Sequence, residues 1–415
     1  MKFTRKHLVI SRLLFIVVLV IFCWERAHKD TDFDVYLAAA RLLSVKENIY
    51  DLSLTYNTQY FYSPFFAVFL SPFSNLDHVF IKFTWLVITL IFIARIWKLI
   101  CLYLDLSLLS TKQKILLTVA PHLILIGFII DNFHMVQVTF FILWATLESI
   151  RLIFSKRQIL GSILLGIVIN IKLLPLPFIP YLIYRKKYKA AALAFIVATT
   201  FLFIPGIFFG FDYNNYLLSN WWQVINPLSD RFTIETNILV FNLQAFITGL
   251  FLIGPPSEKN LSIDIQTLQV YIWFGRAIII FGTLWILNTL PFKASLSKLH
   301  QLREISYLLL ATILLFPNQN KYANVYLIPI FAYIFYFLII NYNNHKKHIQ
   351  SIKIILVFIL LFFSIGFICL TGRSIVGNGL YEWLSYKKSI TFGTLLLIPI
   401  LIMLTPKNIE KIVRN

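Results

Sequence analysis

The chain has 415 residues, of which 59% are hydrophobic and 13% charged, against roughly 25% charged in soluble domains. With a mean hydropathy of +0.79 there are too few charges to cover a soluble surface, which excludes a string of soluble domains and specifies an all-α polytopic membrane protein. The excess of 37 Lys and Arg over 18 Asp and Glu, a net +19, fits basic cytoplasmic loops and anionic head groups, so no nucleic-acid partner is expected.

The first element is an apolar run over 8–24 behind Lys2, Arg5 and Lys6. It is long enough to span, and the following Trp24-Glu25-Arg26 offers no small-residue cleavage site, so it reads as an uncleaved helix with a cytoplasmic N-terminus. Further apolar stretches lie near 61–76, 79–104, 115–130, 134–154, 160–184, 190–210, 238–253, 267–290, 304–317, 322–340, 352–371 and 389–405. Several are short or contain Pro, so about ten to twelve full crossings are expected. The longest polar insertions are 25–60, 211–237 and 254–266, and a polar tail occupies 406–415. Basic clusters at 155–157, 185–187, 293–303 and 345–348 belong in the cytoplasm, which puts 25–60 outside. Cys23, Cys101 and Cys369 each sit in apolar runs and read as buried hydrophobes, with no disulfide framework and no zinc site.

The stretch 160–184 is basic at both ends yet too short for two crossings. It contains Lys172, Pro175, Pro177 and Pro180. Two short helices that dip in and return satisfy this pattern, and they put Lys172 near the tip, facing a polar site. If 61–76 and 79–104 both crossed, Lys112 and Lys114 would fall outside against the charge rule. Either 61–76 is broken too or the rule fails locally.

Chemistry-bearing residues begin in the first insertion. Asp30, Asp32 and Asp34 stand at the start of an amphipathic helix with the apolar stripe Phe33, Tyr36, Leu37, Ala40 and Leu43, expected to lie on the outer membrane surface. Thr31 and Asp34 fit a capping box, which accounts for Asp34, whereas Asp32 has no capping duty and shares a face with Tyr36. Tyr62 belongs to an aromatic group that an interfacial belt also explains. The polar residues Asp131, Asn132, His134 and Gln137 interrupt an apolar run, either as a plain loop or as the lining of a site. No metal-ligand spacing surrounds His134, so no metal site is assigned. Lys172 is the strongest single charge, and a phosphate is the natural partner of a lone ammonium. Lys321, in the loop 317–322, is either a loop charge or a site cation.

In this order the residues resemble glycosyltransferase family 87, polytopic enzymes of the GT-C superfamily that use polyprenyl-phosphate sugars. The resemblance is carried by Asp32-Phe33-Asp34-Val35-Tyr36 with Ala39-Ala40, by Tyr50, by Tyr62-Ser63-Pro64, by His134-Met135-Val136-Gln137, by Ile171-Lys172-Leu173-Leu174-Pro175 and by Thr236-Asn237-Ile238-Leu239. It extends over roughly 5–340. It implies one integral membrane domain over 1–415: a first transmembrane helix over 1–24, an extracytoplasmic catalytic loop over 25–60, core helices over 61–210, a second outer loop over 211–237 and remaining helices over 238–405.

The implied reaction is transfer of a hexose, typically mannose, from a polyprenyl-phosphate donor to an extracytoplasmic lipid or glycan acceptor with inversion, at the plasma (inner) membrane. Asp32 is the implied base, with Asp34 as fallback. Lys172, Tyr36, Tyr62, Gln137, His134 and Lys321 are the implied donor-binding residues. No cofactor is demanded; a divalent metal is neither required nor excluded. A flippase of lipid-linked sugars would carry an inverted repeat, which is not visible, and a glycan polymerase or ligase would carry larger late loops.

Overall fold

The computed structural model describes residues 5–53, 58–226, 234–253, 260–288, 290–293, 296–317, 319–344, 352–369 and 373–407. The basic cluster at 345–348 and most of the 406–415 tail lie outside these residues. Every regular element among the described residues is helical: α1 (Arg5–Ala27), α2 (Asp32–Ser44), α3 (Pro64–Leu70), α4 (His78–Cys101), α5 (Thr111–Ile124), α6 (Ile126–His134), α7 (Thr139–Ile153), α8 (Gln158–Ile171), α9 (Phe178–Tyr184), α10 (Tyr188–Phe209), α11 (Phe211–Ile225), α12 (Leu243–Phe251), α13 (Ile265–Leu287), α14 (Lys298–Leu315), α15 (Ile328–Asn344), α16 (Ile352–Cys369), α17 (Arg373–Val376), α18 (Asn378–Tyr386), α19 (Ser389–Leu395) and α20 (Leu397–Met403). Among the described residues β-pairing is limited to two isolated bridges, Val240 with Asn320 and Leu252 with Leu261.

Five helices are long and apolar enough to cross a membrane: α4, α10, α13, the run Lys321–Asn343 and α16. Two bent pairs, α5 with α6 at 56° and α18 with Ser389–Met403 at 54°, raise the number to seven among the described residues. The sequence leads to an expectation of about ten to twelve. The difference arises because several apolar stretches fold into shorter pieces. The 61–76 stretch is one: its helix and following turn cover only Pro64–Phe73. A single crossing, α4, therefore separates Asp34, which touches His78 and Lys82, from Lys112 and Lys114 at the far end. The conflict left open by the charge rule is resolved in favour of a broken 61–76.

The 158–184 segment is a broken hairpin. α8 rises about 21 Å over fourteen residues and stops at Lys172, whose φ of −146° and ψ of 130° are extended. Pro175 and Pro177 lack the N–H that would continue the ladder and push the residues before them out of helical conformation. The seven residues of α9 then run back. α8 is wedged between α7 and α10 through glycines: a Cβ on Gly161 would stand 2.7 Å from the Ser149 carbonyl, and one on Gly166 2.7 Å from the Ala194 carbonyl. Such backbone-level approach is how helices associate in lipid, where apolar side chains gain nothing by leaving the tails.

The returning arm is fastened at the end of the bundle opposite the Lys172 tip. Arg185 is fully buried. It donates through Nε to Glu304 at 3.0 Å, again to Glu304 through Nη2, and to the Leu287 and Leu290 carbonyls at the end of α13. The Tyr181 hydroxyl donates to the same carboxylate at 3.1 Å. The sequence placed Arg185 among basic anchors at the cytoplasmic surface; the structure instead turns it inward, because Glu304 on α14 supplies a buried counter-charge. Beside it, Arg303 Nε donates to the Leu401 carbonyl at 2.9 Å and ties α14 to α20. Removing one partner of such a pair leaves an uncompensated charge, at a cost of about 3–5 kcal/mol. Arg185→Ala and Glu304→Ala are therefore expected to lower the thermal midpoint of the detergent-purified protein strongly, and Lys186→Ala, at an exposed neighbour, to leave it unchanged; equal midpoints for all three would remove the anchoring role.

Candidate active site

α2 begins at Asp32 because Thr31 and Asp34 close a capping box. The Asp34 carboxylate accepts from the Thr31 N–H at 2.8 Å and faces Lys82 Nζ at 3.0 Å and His78 Nδ1 at 3.6 Å. Lys82 also donates to the Lys29 carbonyl at 2.8 Å, which pins the start of α2 to α4. Rather than lying on a membrane surface, α2 is enclosed, with Phe33 through Ala40 all buried. The small residues Ala38 and Ala39, off the apolar stripe, let neighbouring elements close over that side of the helix as well.

Asp32 sits on a different side of that first turn. Its carboxylate accepts from the Gln137 side-chain amide. Gln137 is itself 1% exposed and held on three sides: its Oε1 accepts from Tyr36 Oη at 3.0 Å, its carbonyl accepts from Trp85 Nε1 at 3.2 Å, and its N–H donates to the Asn132 carbonyl at 2.9 Å. Because the Tyr36 hydroxyl proton is spent on Gln137, the 2.8 Å contact between Tyr36 and Tyr62 makes Tyr62 the donor. The result is a directional chain from Tyr62 through Tyr36 and Gln137 to Asp32. The preceding residue, Val136, has φ +48°, a conformation that costs a β-branched side chain about 1–3 kcal/mol and persists only where the surroundings enforce it. That strain sits in the turn that aims Gln137.

A cavity of about 340 Å³ opens beside this chain, bordered by Asp32, Tyr36, Tyr62, Lys172, Lys321 and Tyr322 among others. Its size is that of a small-ligand cleft. Lys172 Nζ stands 5.3 Å from the centre of the Tyr62 ring and forms no ion pair within 4.0 Å among the described residues. Lys321 is paired with Asp131 at 3.1 Å, so its charge is half spent. Burial pushes the Asp32 carboxyl above its ordinary range, while the Lys172 ammonium and the Gln137 amide pull it back. A second cavity, about 500 Å³, is bordered by Asp30, Asp34, Thr31, His78 and Lys82. The two share Asp32, Val35, Thr58 and Met135 as a common wall. Among the described residues no group of three or more His, Cys, Asp or Glu converges as a metal site would require.

The structure thus brings Asp32, Tyr36, Tyr62, Gln137, Lys172 and Lys321 together. It places His134 elsewhere: the ring lies against Phe22 of α1, with centroids 6.2 Å apart, and borders neither cavity. α6 ends at His134, and the turn that follows, with Val136 at positive φ, carries Gln137 to Asp32 instead. Three residues that the sequence did not single out belong to the site. Tyr322 borders the first cavity, Trp85 holds the Gln137 carbonyl, and Asn170 accepts from Ser63 at 2.8 Å and so ties α3 to the hairpin. Lys82 was detectable by the same signal as Lys172, a cation inside an apolar run; Trp85 carried no such signal.

No curated protein and no solved structure matches the chain significantly. The sequence profile of glycosyltransferase family 87 matches residues 60–317, a span that includes Tyr62, Gln137 and Lys172 and ends short of Asp32 on one side and Lys321 on the other. That match covers more than half of the chain and lies across the hairpin and the cavity it serves; the protein belongs to glycosyltransferase family 87 and is a multi-pass membrane glycosyltransferase.

Proposed function

We propose that the enzyme transfers a hexose, mannose as the first candidate, from a polyprenyl-phosphate donor to an extracytoplasmic lipid or glycan acceptor, with inversion at the sugar carbon. The observation that carries this reading is the placement of an ammonium without an ion pair among the described residues, Lys172, and a half-buried carboxylate, Asp32, on the border of one cavity. Transfer from a lipid phosphate calls for both: a cation for the charge that develops on the departing phosphate and a base within about 2.6–3.2 Å of the attacking hydroxyl.

In this reading the donor's phosphate and sugar occupy the Lys172 cavity, and the acceptor reaches Asp32 through the second cavity on the other side of the shared wall. A hydroxyl that loses its proton to Asp32 then attacks the sugar carbon from the face opposite the phosphate, which is inversion. Asp34 is a poor base because Lys82 and the capping box already use both of its oxygens. Gln137, Tyr36 and Tyr62 orient the base. The distribution of charge supports an orientation: Lys98, Lys112, Lys114, Lys156, Arg157 and Lys186 lie at the end of the bundle away from Asp32, so the charge rule puts that end in the cytoplasm and the cavities outside.

Asp32→Asn keeps the shape and removes the base, and is expected to reduce turnover to background in a polyprenyl-phosphate release assay while the protein still purifies as a folded membrane species; retained turnover would sink the assignment. The pH profile carries a second expectation. The base works only when deprotonated, and burial raises its pKa, so kcat/KM should fall on the acid side through an apparent pKa above the ordinary aspartate value. Lys172 pulls that pKa down; Lys172→Met should therefore move the acid limb to higher pH as well as weaken donor binding, and an unmoved limb would show that the two charges do not meet. Gln137→Leu removes the amide that aims Asp32 and is expected to lower kcat about tenfold or more, with donor KM little changed, in the same assay.

A further inference from the structure

α13 carries a guanidinium where a membrane helix is least able to bear one. Arg276 is eleven residues from either end of that 23-residue span, about 16 Å along the axis, beyond what its own side chain can recover by reaching for the interface. A charge at such depth is kept where it lines a polar path or meets a partner. The protein supplies little partner: Arg276 Nη2 donates to Gln244 Oε1 at 2.8 Å, and its Cζ lies 4.8 Å from the centre of the Trp273 ring. Among the described residues no carboxylate forms an ion pair with it. One neutral acceptor leaves most of the five-donor fork unused.

The side chain is partly exposed, and the helix face beside it is apolar and open, with Trp273 at 55% and Phe274 at 66% exposure. An occupant must therefore arrive from the bilayer, carry an anion that suits a planar fork, and bring an apolar tail; a lipid-borne phosphate has all three properties. Gln244 also fixes where this site stands. It is the second residue of α12, four positions after Val240, which borders the Lys172 cavity and is held by its bridge to Asn320. Through Gln244, Arg276 is thus joined to the segment that leads from the border of the Lys172 cavity into α12. Phosphates of ordinary phospholipids stay in the head-group layer outside the roughly 30 Å apolar core. Arg276, midway along α13, stands below that layer and out of reach of an ordinary phospholipid phosphate.

We propose that Arg276, held by Gln244, is a membrane-facing docking site for the phosphate of the polyprenyl-phosphate donor as it enters, or of polyprenyl phosphate as it leaves, the Lys172 cavity. The proposal rests on the donor class given above. The test uses the full chain in phosphatidylcholine nanodiscs, with a long-chain polyprenyl-phosphate sugar and an analogue whose two-isoprene tail lets it reach the cavity from water. Arg276→Gln is expected to raise KM for the long-chain donor about tenfold and leave its kcat and the short-tail KM within twofold. Arg276→Lys should restore part of the loss, and Gln244→Leu, which keeps the charge but frees it, should give a smaller rise. Equal KM for both tails, or a kcat loss with both, overturns the docking role. Retention of phosphatidylglycerol in place of polyprenyl phosphate by wild type, and not by Arg276→Gln, in native mass spectrometry overturns the choice of occupant. A wild-type protein that uses no polyprenyl-phosphate donor removes the donor class and this site together, whereas wild-type turnover with an unchanged Arg276→Gln KM removes the site alone.

Discussion

The amide of Gln137 faces two ways. Its NH₂ donates to Asp32 and its carbonyl oxygen accepts from Tyr36, so a single side chain fixes both the direction of the carboxylate and the donor sense of the tyrosine chain behind it. An amide can do this because it carries donor and acceptor on one rigid plane; a carboxylate there would repel Asp32 and an aliphatic residue would leave Tyr36 and Asp32 without a common partner. The surroundings are built to keep that plane still. Trp85 and Asn132 hold the backbone of Gln137, and the strained Val136 turn is retained because the two helices it joins leave it no relaxed alternative.

The second constraint comes from lipid. An ammonium cannot be presented at the centre of a bundle by a loop, because irregular backbone within the apolar layer must be satisfied by protein or by a cavity. The hairpin of α8 and α9 answers this by carrying Lys172 on the end of a helix and confining the irregular residues to a proline turn beside a polar cavity. Its position is then fixed at both extremes: glycines seat α8 against α7 and α10, and Arg185 with Glu304 fastens the far end of α9. The distance between Lys172 and Asp32 is therefore set by contacts remote from either charge. Lys172 is held over the Tyr62 ring and forms no ion pair among the described residues.

What the sequence disclosed follows from which forces act locally. Apolar run length, basic clustering and proline placement are local, and they revealed the membrane class, the broken hairpin and the isolation of Lys172. The capping box made Asp34 structural on paper before its ion pair with Lys82 was visible. Other features are decided by distant partners. Arg185 reads as an anchor in a basic triplet and is buried only because Glu304, far along the chain, meets it. The burial of α2 depends on α3 stopping short, and nothing in 61–76 announces whether an apolar stretch crosses or turns back. His134 and Gln137 are equally polar and three residues apart; the turn between them sends one toward α1 and the other toward Asp32. Trp85 and Tyr322 were lost among the aromatic residues that make up 17% of the chain, since only geometry separates a site ring from a packing ring.

The shared wall between the two cavities sharpens what the proposed reaction demands. Asp32 borders both, and it is the one titratable group among the described residues common to the two cavities. A base in that position has to be dry enough to be basic and close enough to a cation to remain charged. Burial alone would neutralise it, and a direct salt bridge would disarm it. The arrangement lies between those limits: Lys172 acts across the cavity without contact, and the Gln137 amide contributes a neutral hydrogen bond that orients the carboxylate without cancelling its charge. When a phosphate enters the cavity it screens Lys172 from Asp32 and draws the ammonium's attraction to itself. In the proposed reaction the carboxylate then becomes a stronger base at the moment that the donor is in place, which couples donor binding and base strength through the same lysine.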